Sequence, residues 1–336
     1  MQPPPPTHTL TLALSHCAAA ADYGTYSLDQ LNGPCGNWCV QGPFTSIRTS
    51  TDEGATWVDS RVNMTSRSDN LFGEVAFNGS KVKFGAPHAI DFGQNAQHSP
   101  DGALYIVGHG AQNPASNQSW MQGDSVYLAR TVGPPSPSTV NTAAAWEFYA
   151  GGHGAGAAWS PSLRDAAPLI DWPTRTGVVT MSFHPALQKY ILVVSTPTVS
   201  PSTVGNFDTY MLESDDLTGP WAYVTYMPAF GPEAYFVHIP SKFMGSSVVA
   251  VTAGAVASAA PGATAPGASA VLPLCAQEAA EQQQSAYEFF LSYSADFASG
   301  VPNPPGSGYH WSLLQSRIGV TAAHTARLAA QGRVQQ

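Results

Sequence analysis

Charged residues are scarce in this sequence: they make up 10% of 336 residues, where about a quarter is usual in soluble proteins. Amphipathic helices need charged outer faces, so this scarcity disfavours a helical fold. Acidic side chains outnumber basic ones by 22 to 13, and the formal net charge of −9 argues against nucleic acid or anionic membranes as partners. No apolar run reaches the length of about 18 residues that a membrane span needs, so none is predicted.

Cysteines and the common catalytic motifs are equally sparse. Four cysteines are too few for a disulfide scaffold; Cys35 and Cys39 could close a small ring, whereas Cys17 and Cys275 have no evident partner. The sequence contains no H-E-x-x-H pair, no phosphate loop and no G-x-S-x-G. We therefore predict neither a metal site nor a cofactor, and a serine hydrolase has no support.

Glycine and proline, in contrast, are abundant. The chain has 31 glycines and 28 prolines, which supply many turn positions. Hydrophobic residues, at 43%, are sufficient for a core. A turn-rich chain with few charges favours many strands joined by turns, so we predict an all-β fold.

The segment 50–57 reads S-x-D-x-G-x-T-W, a pattern called an Asp-box, with Ser50, Asp52, Gly54 and Trp57 as its defining residues. An Asp side chain that accepts a backbone N–H two residues ahead holds a tight turn. The glycine supplies a backbone angle that other residues resist, and the Trp packs over the turn. We interpret these four residues as structural.

The same pattern returns further along the chain. Residues 214–221 contain a degenerate copy with Asp216 and Trp221, residues 294–311 contain a looser copy, and residues 127–149 keep only the Trp. Hairpins repeated at intervals of tens of residues indicate a radial array of small sheets. We predict a β-propeller of four-stranded antiparallel blades, five in number, with four as the alternative. No innermost strand is apparent upstream of the first blade, so either the C-terminus supplies it or the blade is incomplete at the N-terminus.

The predicted propeller spans residues 23–318 and is interrupted by a disordered low-complexity insertion at 245–286, where Ala, Gly, Pro and Gln dominate. Residues 1–22 are predicted to be a tail or a leader, and 319–336 a C-terminal tail. The predicted strands are 88–92, 104–108, 125–129 and 146–149 in the second blade, 178–183, 190–194, 210–213 and 222–226 in the third, and 235–239 and 287–293 in the fourth.

Connections in such blades alternate between the two faces of the disc. The Asp-boxes and the insertion connect strands on one face, so the longer loops, including 108–124, 150–177 and 227–234, collect on the other. Long loops on a rigid scaffold commonly carry binding and catalytic residues. We therefore expect the functional pocket on the face opposite the Asp-boxes.

Several segments beyond the Asp-box resemble one family: C-G-N-W-C at 35–39, S-W-M-Q-G-D at 119–124, L-T-G-P-W at 217–221 and I-P-S-K-F at 239–243. The chain is similar to uncharacterised secreted propeller proteins that resemble glycosidases, in the broad company of sialidases and five-bladed furanosidase-type hydrolases. The resemblance implies a β-propeller with a carbohydrate-facing pocket. Sialidases need three arginines on a carboxylate, and two of the strand arginines here, Arg48 and Arg130, are predicted away from the axis.

Three sequons, at Asn63, Asn78 and Asn117, are acceptors for N-glycosylation. About two would arise by chance in a chain with this much Asn, Ser and Thr, so the sequons only favour a secreted or extracellular location. The apolar run near the N-terminus lacks the positive region of a clear signal peptide.

Glycoside hydrolysis needs two carboxylates beside the scissile bond, and three acidic residues are candidates. Glu233, in an apolar setting that raises a carboxyl pKa, is the predicted general acid. Asp124 is the predicted base or nucleophile, and Asp91 the residue that orients it. For each, the alternative is a structural carboxylate that caps a turn or pairs with an arginine.

The predicted substrate-binding residues are histidines and aromatic residues on the same face. Histidines can bind sugar hydroxyls, and aromatic faces stack on sugar rings; the alternative is hydrogen-bonded or packed core residues. The six candidates are His88, His109, Trp120, Trp159, Tyr235 and His238.

Two functional hypotheses remain open at this point. The first is a propeller that acts on a carbohydrate or glycoconjugate as a glycoside hydrolase, with Glu233 as the acid. The second is a non-catalytic propeller that binds carbohydrate or protein with the same face. The separation of the carboxylates distinguishes the two, because a pair more than about 10 Å apart cannot flank one glycosidic bond.

Overall fold

The structure is a computed structural model, and its described residues are predominantly in antiparallel β-sheets. It describes residues 47, 71–73, 83–110, 122–198, 206–231, 234–245, 248–251, 284–295 and 310–330. The chain divides into two units: Met1–Lys242 with Leu291–Leu313, and Phe243–Phe290 with Leu314–Gln336. The predicted first blade, with its Asp-box at 50–57, lies outside the described residues apart from Ile47.

The first sheet contains the four strands predicted for the second blade, in the predicted order. The sheet runs β1-β2-β3-β4, with β5 added to β4 and β6 added to β3. The strands are β1 (Gly85–Ala89), β2 (Tyr105–Gly110), β3 (Gly123–Thr131), β4 (Trp146–Tyr149), β5 (Trp159–Ser160) and β6 (Ile170–Thr176). The prediction that 150–177 is only a loop is wrong, because β5 pairs with the preceding strand β4 and β6 pairs with the more distant β3.

The second sheet confirms the strands and strand order predicted for the third blade. β7 (Val178–His184), β8 (Lys189–Pro197), β9 (Phe207–Ser214) and β10 (Ala222–Met227) form a four-stranded antiparallel sheet. β7 and β8 are rich in β-branched residues, which suit a pleated strand. The β8–β9 register is unbroken from Tyr190↔Ser214 to Pro197↔Phe207.

The main core of the first unit lies between these two sheets. Alternate residues of each strand point to one face of a sheet, and the facing sides of the two sheets carry large apolar side chains that are at most 1% exposed. They include Val107, Val126, Leu128, Met181, Leu192 and Val194. Full burial of such a side chain contributes about 1.5–3 kcal/mol to stability. This layer therefore holds the strands in place, and with them the loops and side chains at the strand ends.

The innermost strands of successive sheets lie side by side. Asp91, just after β1, forms a parallel bridge with Ser182 of β7, with Asp91 N–H donating to Met181 O over 3.0 Å. The Thr180 hydroxyl in turn donates to the Val237 carbonyl of β11 (Tyr235–His238) over 2.7 Å. In the first unit, β11 also pairs with the end of β13 (Gln284–Ala295).

In the second unit, β12 (Val248–Val251) pairs with the first residues of β13, and Arg317 of β14 (His310–Val320) forms an ion pair with Glu288 at 2.8 Å. Helix α1 spans Ala322–Ala330. β12 and the first residues of β13 fall within the predicted disordered insertion, 245–286, and Val248, Val249 and Val251 suit a strand. The predicted tail from 319 contains α1. Residues 252–283 lie outside the described residues.

Candidate functional site

The turn at 214–221 has the structural role predicted for an Asp-box. The Asp216 carboxylate accepts the Thr218 N–H over 2.8 Å and the Thr218 hydroxyl over 2.6 Å, while Gly219 has φ +87°. Trp221 packs against the core between the two sheets. The first two sheets have two ends. We call the end with the turn at 214–221 the Asp-box end, and the opposite end, where β3 and β9 begin, the upper end.

Asp124 is the second residue of β3, at the upper end. It is buried, with 5% of the residue exposed. Its Oδ1 accepts the backbone N–H of Thr174 over 3.0 Å. Its Oδ2 is buried, and no donor lies within hydrogen-bonding distance in the part of the chain that the structure describes. A buried polar atom without a partner costs about 1–3 kcal/mol, so a water molecule or a ligand hydroxyl that reached this oxygen would be stabilised.

The Asp124 side chain holds the backbone of Thr174. Thr174 has φ +61°, a left-handed conformation that is unfavourable for a β-branched residue. Its N–H is bound by Asp124, and its carbonyl accepts the Gln122 amide over 3.0 Å. These two contacts clamp a bulge in β6, where the register with β3 shifts between Gly123 and Ser125. Strained residues of this kind cluster at binding sites. Neither Gln122 nor Thr174 was predicted, since their contacts join residues about fifty positions apart.

His88 and His109 extend from Asp124 across the same face of the first sheet. His88 pairs with Val107 and His109 with Val126, which makes the two histidines, and His109 and Asp124, diagonal neighbours about 7–8 Å apart. Both histidines are buried, at 8% and 0% exposure. We call these three residues the polar row. The structure thus brings together one predicted catalytic residue and two predicted binding residues.

Other buried polar atoms without partners also lie at the upper end. Each is a hydroxyl with no hydrogen-bond partner among the described residues: Thr176 Oγ1, Ser195 Oγ, Thr196 Oγ1 and Thr209 Oγ1. Ser195 and Thr209 are directly opposite each other on β8 and β9, and Thr176 is opposite Gly123. Buried polar groups are nearly always paired in folded proteins. Trp221 Nε1 at the Asp-box end also lacks a partner among the described residues, but the hydroxyls of this kind are concentrated at the upper end.

Asp91 and His238 form a separate pair on the inner strands. Asp91 accepts the N–H groups of Gly93, over 2.9 Å, and Ser241, over 2.7 Å, and His238 Nε2 lies 3.7 Å from its Oδ2. Burial alone would raise the pKa of Asp91, but the nearby His238 ring and the hydrogen bonds from Ser241 and Gly93 outweigh it and hold that pKa well below its usual range. This carboxylate is therefore ionised and occupied by its own neighbours.

Asp91 and Asp124 are at opposite ends of the first sheet. Asp91 follows β1 beside Leu104, which pairs with Thr131 at the end of β3. Thr131 is seven positions after Asp124 along β3, about 23 Å at the rise of an extended strand. That separation far exceeds the spacing of two carboxylates that act on one glycosidic bond, so the structure does not bring these two candidates together.

Trp159 lies at the Asp-box end, where it contacts three side chains. Arg130 is positioned over its ring at 4.1 Å, and the rings of Tyr105 and Tyr149 make edge contacts with it at 6.0 and 6.2 Å. Arg130 also pairs with Asp101 and Glu147, which leaves this arginine engaged in structural contacts. Tyr235 is buried on β11, where it contacts Phe207 with ring centroids 5.8 Å apart.

Glu233 and Trp120 lie outside the described residues, so their roles stay predictions. Among the described residues, no three His, Cys, Asp or Glu side chains are grouped so that they could hold a metal ion. In the same part of the chain, no helix is both long and apolar enough to cross a membrane. Among known proteins, no family model matches the sequence, and no curated protein matches it.

Proposed function

We propose that the first unit belongs to a β-propeller that recognises a glycan at its upper end. The propeller arrangement is supported by two successive sheets with the same inner-to-outer strand order and by inner strands that run alongside one another. The turn at 214–221, with its Asp216–Thr218 contacts, supports it further. An extracellular location, which the sequons favour, would expose the chain to such glycans.

The observation that carries the glycan proposal is the free oxygen of Asp124. A buried carboxylate oxygen without a donor is a strong acceptor for a hydroxyl group, since hydrogen bonds to charged groups contribute about 1.5–3 kcal/mol. Sugars present hydroxyls at regular positions, and the histidines of the polar row add groups that can donate or accept. The strained bulge at Thr174 keeps the carboxylate at a fixed orientation, as a preorganised site requires.

Hydrolysis is the more specific form of the proposal. It requires a second carboxylate near Asp124, and Asp91 is too distant to serve. Glu233 is then the general acid and Asp124 its partner, as the sequence predicts. The alternative is a propeller that binds the glycan without cleaving it, for which Asp124 alone is sufficient.

Replacement of Asp124 by asparagine tests the binding proposal with little disturbance of the fold. The asparagine oxygen still accepts the Thr174 N–H, while the free Oδ2 becomes an amide donor. We expect Asp124→Asn to retain the wild-type melting temperature but to lose at least about tenfold in affinity on an oligosaccharide array. Asp124→Ala, which removes both oxygens, should lose affinity and stability together. Unchanged binding by both variants would refute the role of Asp124.

Release of aryl groups from a panel of nitrophenyl glycosides separates the two forms of the proposal. A hydrolase loses turnover in Glu233→Gln and in Asp124→Asn while both variants keep the fold. A binding protein gives no turnover with any glycoside but retains array binding. Turnover by wild type that is unaffected in Glu233→Gln would exclude Glu233 as the acid.

A further inference from the structure

Four aromatic side chains of the first unit lie on one side of β6, β9 and β10, near the bulge that Asp124 holds. Trp172 of β6 meets Tyr210 of β9 edge-on, with ring centroids 4.7 Å apart. Tyr210 stacks on Tyr226 of β10 at 4.8 Å with an 18° angle between the rings. Tyr223 faces the same side of β10, because it pairs with Leu212, two residues from Tyr210. We call these four residues the aromatic ledge.

The aromatic ledge is open to solvent. Tyr223 is 61% exposed and Tyr226 is 40% exposed, and Trp172 and Tyr210 are half-buried. Large aromatic side chains that serve only as core are buried, as Trp146 and Tyr127 are in the same sheet as Trp172. A contiguous exposed aromatic surface is instead typical of a binding site.

A charged donor lies beside the aromatic ledge. Arg175, which is exposed, follows Trp172 by three residues on β6, and its guanidinium presents only donors. Asp208, two residues before Tyr210, is buried at 3% exposure, and its Oδ1 accepts the Ala229 N–H over 3.0 Å, so it belongs to the fold and does not face a ligand. Aromatic faces beside a charged donor match a sugar ring, which has an apolar C–H face and a rim of hydroxyls. A purely apolar partner would leave the Arg175 charge unused.

The chain connects the aromatic ledge to the polar row. Trp172 is two residues from Thr174, at most about 7 Å along an extended strand, and Thr174 is bound by Asp124. We propose that the aromatic ledge is a second glycan subsite, on which a sugar ring stacks beyond the one that contacts Asp124. This proposal rests on the proposed function. It predicts that the protein binds a neutral pentasaccharide more tightly than the corresponding disaccharide.

Isothermal titration calorimetry with cellopentaose, xylopentaose and chitopentaose, each beside its disaccharide, tests the second subsite. For at least one sugar, the wild type should bind the pentasaccharide about tenfold more tightly than the disaccharide, the magnitude of one aromatic stacking contact. Trp172→Ala and Tyr226→Ala should reduce this ratio to below about twofold, with the disaccharide affinity unchanged. Val224→Ala, at a 37% exposed residue of the same strand, is the matched control and should keep the ratio. Tyr226→Phe should keep it too, because the ring remains.

Melting temperatures of all variants exclude unfolding as the cause, and Tyr223→Ala, at the most exposed ring, replaces Trp172→Ala if that variant does not fold. A ratio that stays at the wild-type value in folded alanine variants overturns the subsite. An equal loss of affinity for the pentasaccharide and the disaccharide overturns the subsite as well. The ledge would then only support the site at Asp124 and would not bind a further sugar ring. If the wild type binds a disaccharide but shows no preference for the pentasaccharide, the subsite alone is refuted. Failure to bind any probe contradicts the proposed function and the subsite together.

Discussion

Asp91 offers the sharpest test of how the inner strands are held together. Its carboxylate accepts the Gly93 N–H through Oδ1 and the Ser241 N–H through Oδ2, and the second contact joins residues 150 positions apart. Asp91→Asn removes the charge and replaces one acceptor oxygen with an NH₂ group. One of the two backbone N–H groups then faces a donor instead of an acceptor.

The magnitude follows from these two contacts. A hydrogen bond to a charged group contributes about 1.5–3 kcal/mol, and the Asp91 side chain is only 24% exposed, so solvent screens it weakly. We expect Asp91→Asn to lower the free energy of unfolding by about 2.5 kcal/mol, a decrease in melting temperature of about 5–10 °C for a domain of this size. Asp171→Asn is the matched control: that exposed side chain accepts the Ser125 hydroxyl, and an asparagine oxygen can still accept it.

The pH dependence gives the same test a second readout. The folded-state pKa of Asp91 lies below the unfolded value, so its stabilisation is complete above the unfolded pKa and is lost as the pH falls toward the folded one. Thermal melts of wild type and Asp91→Asn should therefore differ by a constant amount from about pH 5 to pH 8 and converge below about pH 4. Equal melting temperatures at pH 7, or a difference that persists unchanged at pH 3, would refute the role assigned to this carboxylate.

Three further substitutions test separate parts of the structure. Asp216→Ala leaves the N–H and hydroxyl of Thr218 without their acceptor and should destabilise the protein by about 1–2 kcal/mol in urea unfolding; an unchanged midpoint would contradict the Asp-box role. Thr174→Gly removes the strain of a positive φ and should raise the free energy of unfolding by about 0.5–1 kcal/mol; destabilisation would mean that the threonine side chain makes a greater contribution than its backbone strain. Desolvation and the Asp208 carboxylate raise the pKa of the Tyr226 phenol to about 12, so spectrophotometric titration of Asp208→Asn should move it down toward the ordinary value near 10, and no movement would place Asp208 away from that phenol.

The strands of the second sheet were predictable because their signal is local. Residues 178–183 and 190–194 are rich in β-branched side chains and are joined by a His-Pro turn, a pattern that favours a hairpin whatever surrounds it. The turn at 214–221 was predictable for the same reason, since its hydrogen bonds span two residues. Fold class and strand order therefore followed from short stretches of sequence.

The positions of the candidate site residues were not predictable in the same way. The strand predicted at 88–92 begins at Gly85 instead, which leaves Asp91 beyond the strand end and about 23 Å from Asp124 along the sheet. β5 and β6 form by pairing with strands already in the sheet, and nothing within 150–177 specifies those partners. The clamp on Thr174 likewise depends on contacts between β3 and β6, which only the folded chain brings together.

The distribution of satisfied and unsatisfied polar groups is the strongest physical reason to locate function at the upper end. At the Asp-box end, Asp101 accepts from Ala103, Tyr105 and Arg130, and the Asp216 carboxylate accepts from Thr218. These carboxylates hold turns and strand ends, although Trp221 Nε1 at the same end has no partner among the described residues. Hydrogen-bond donors for both Asp124 oxygens would stabilise the fold. Instead, its buried Oδ2 has no donor among the described residues, and its Oδ1 holds a strained bulge. Both features lower stability, and a ligand hydroxyl at Oδ2 would offset that loss. At one ligand concentration, binding should therefore raise the melting temperature of the wild type more than that of Asp124→Asn.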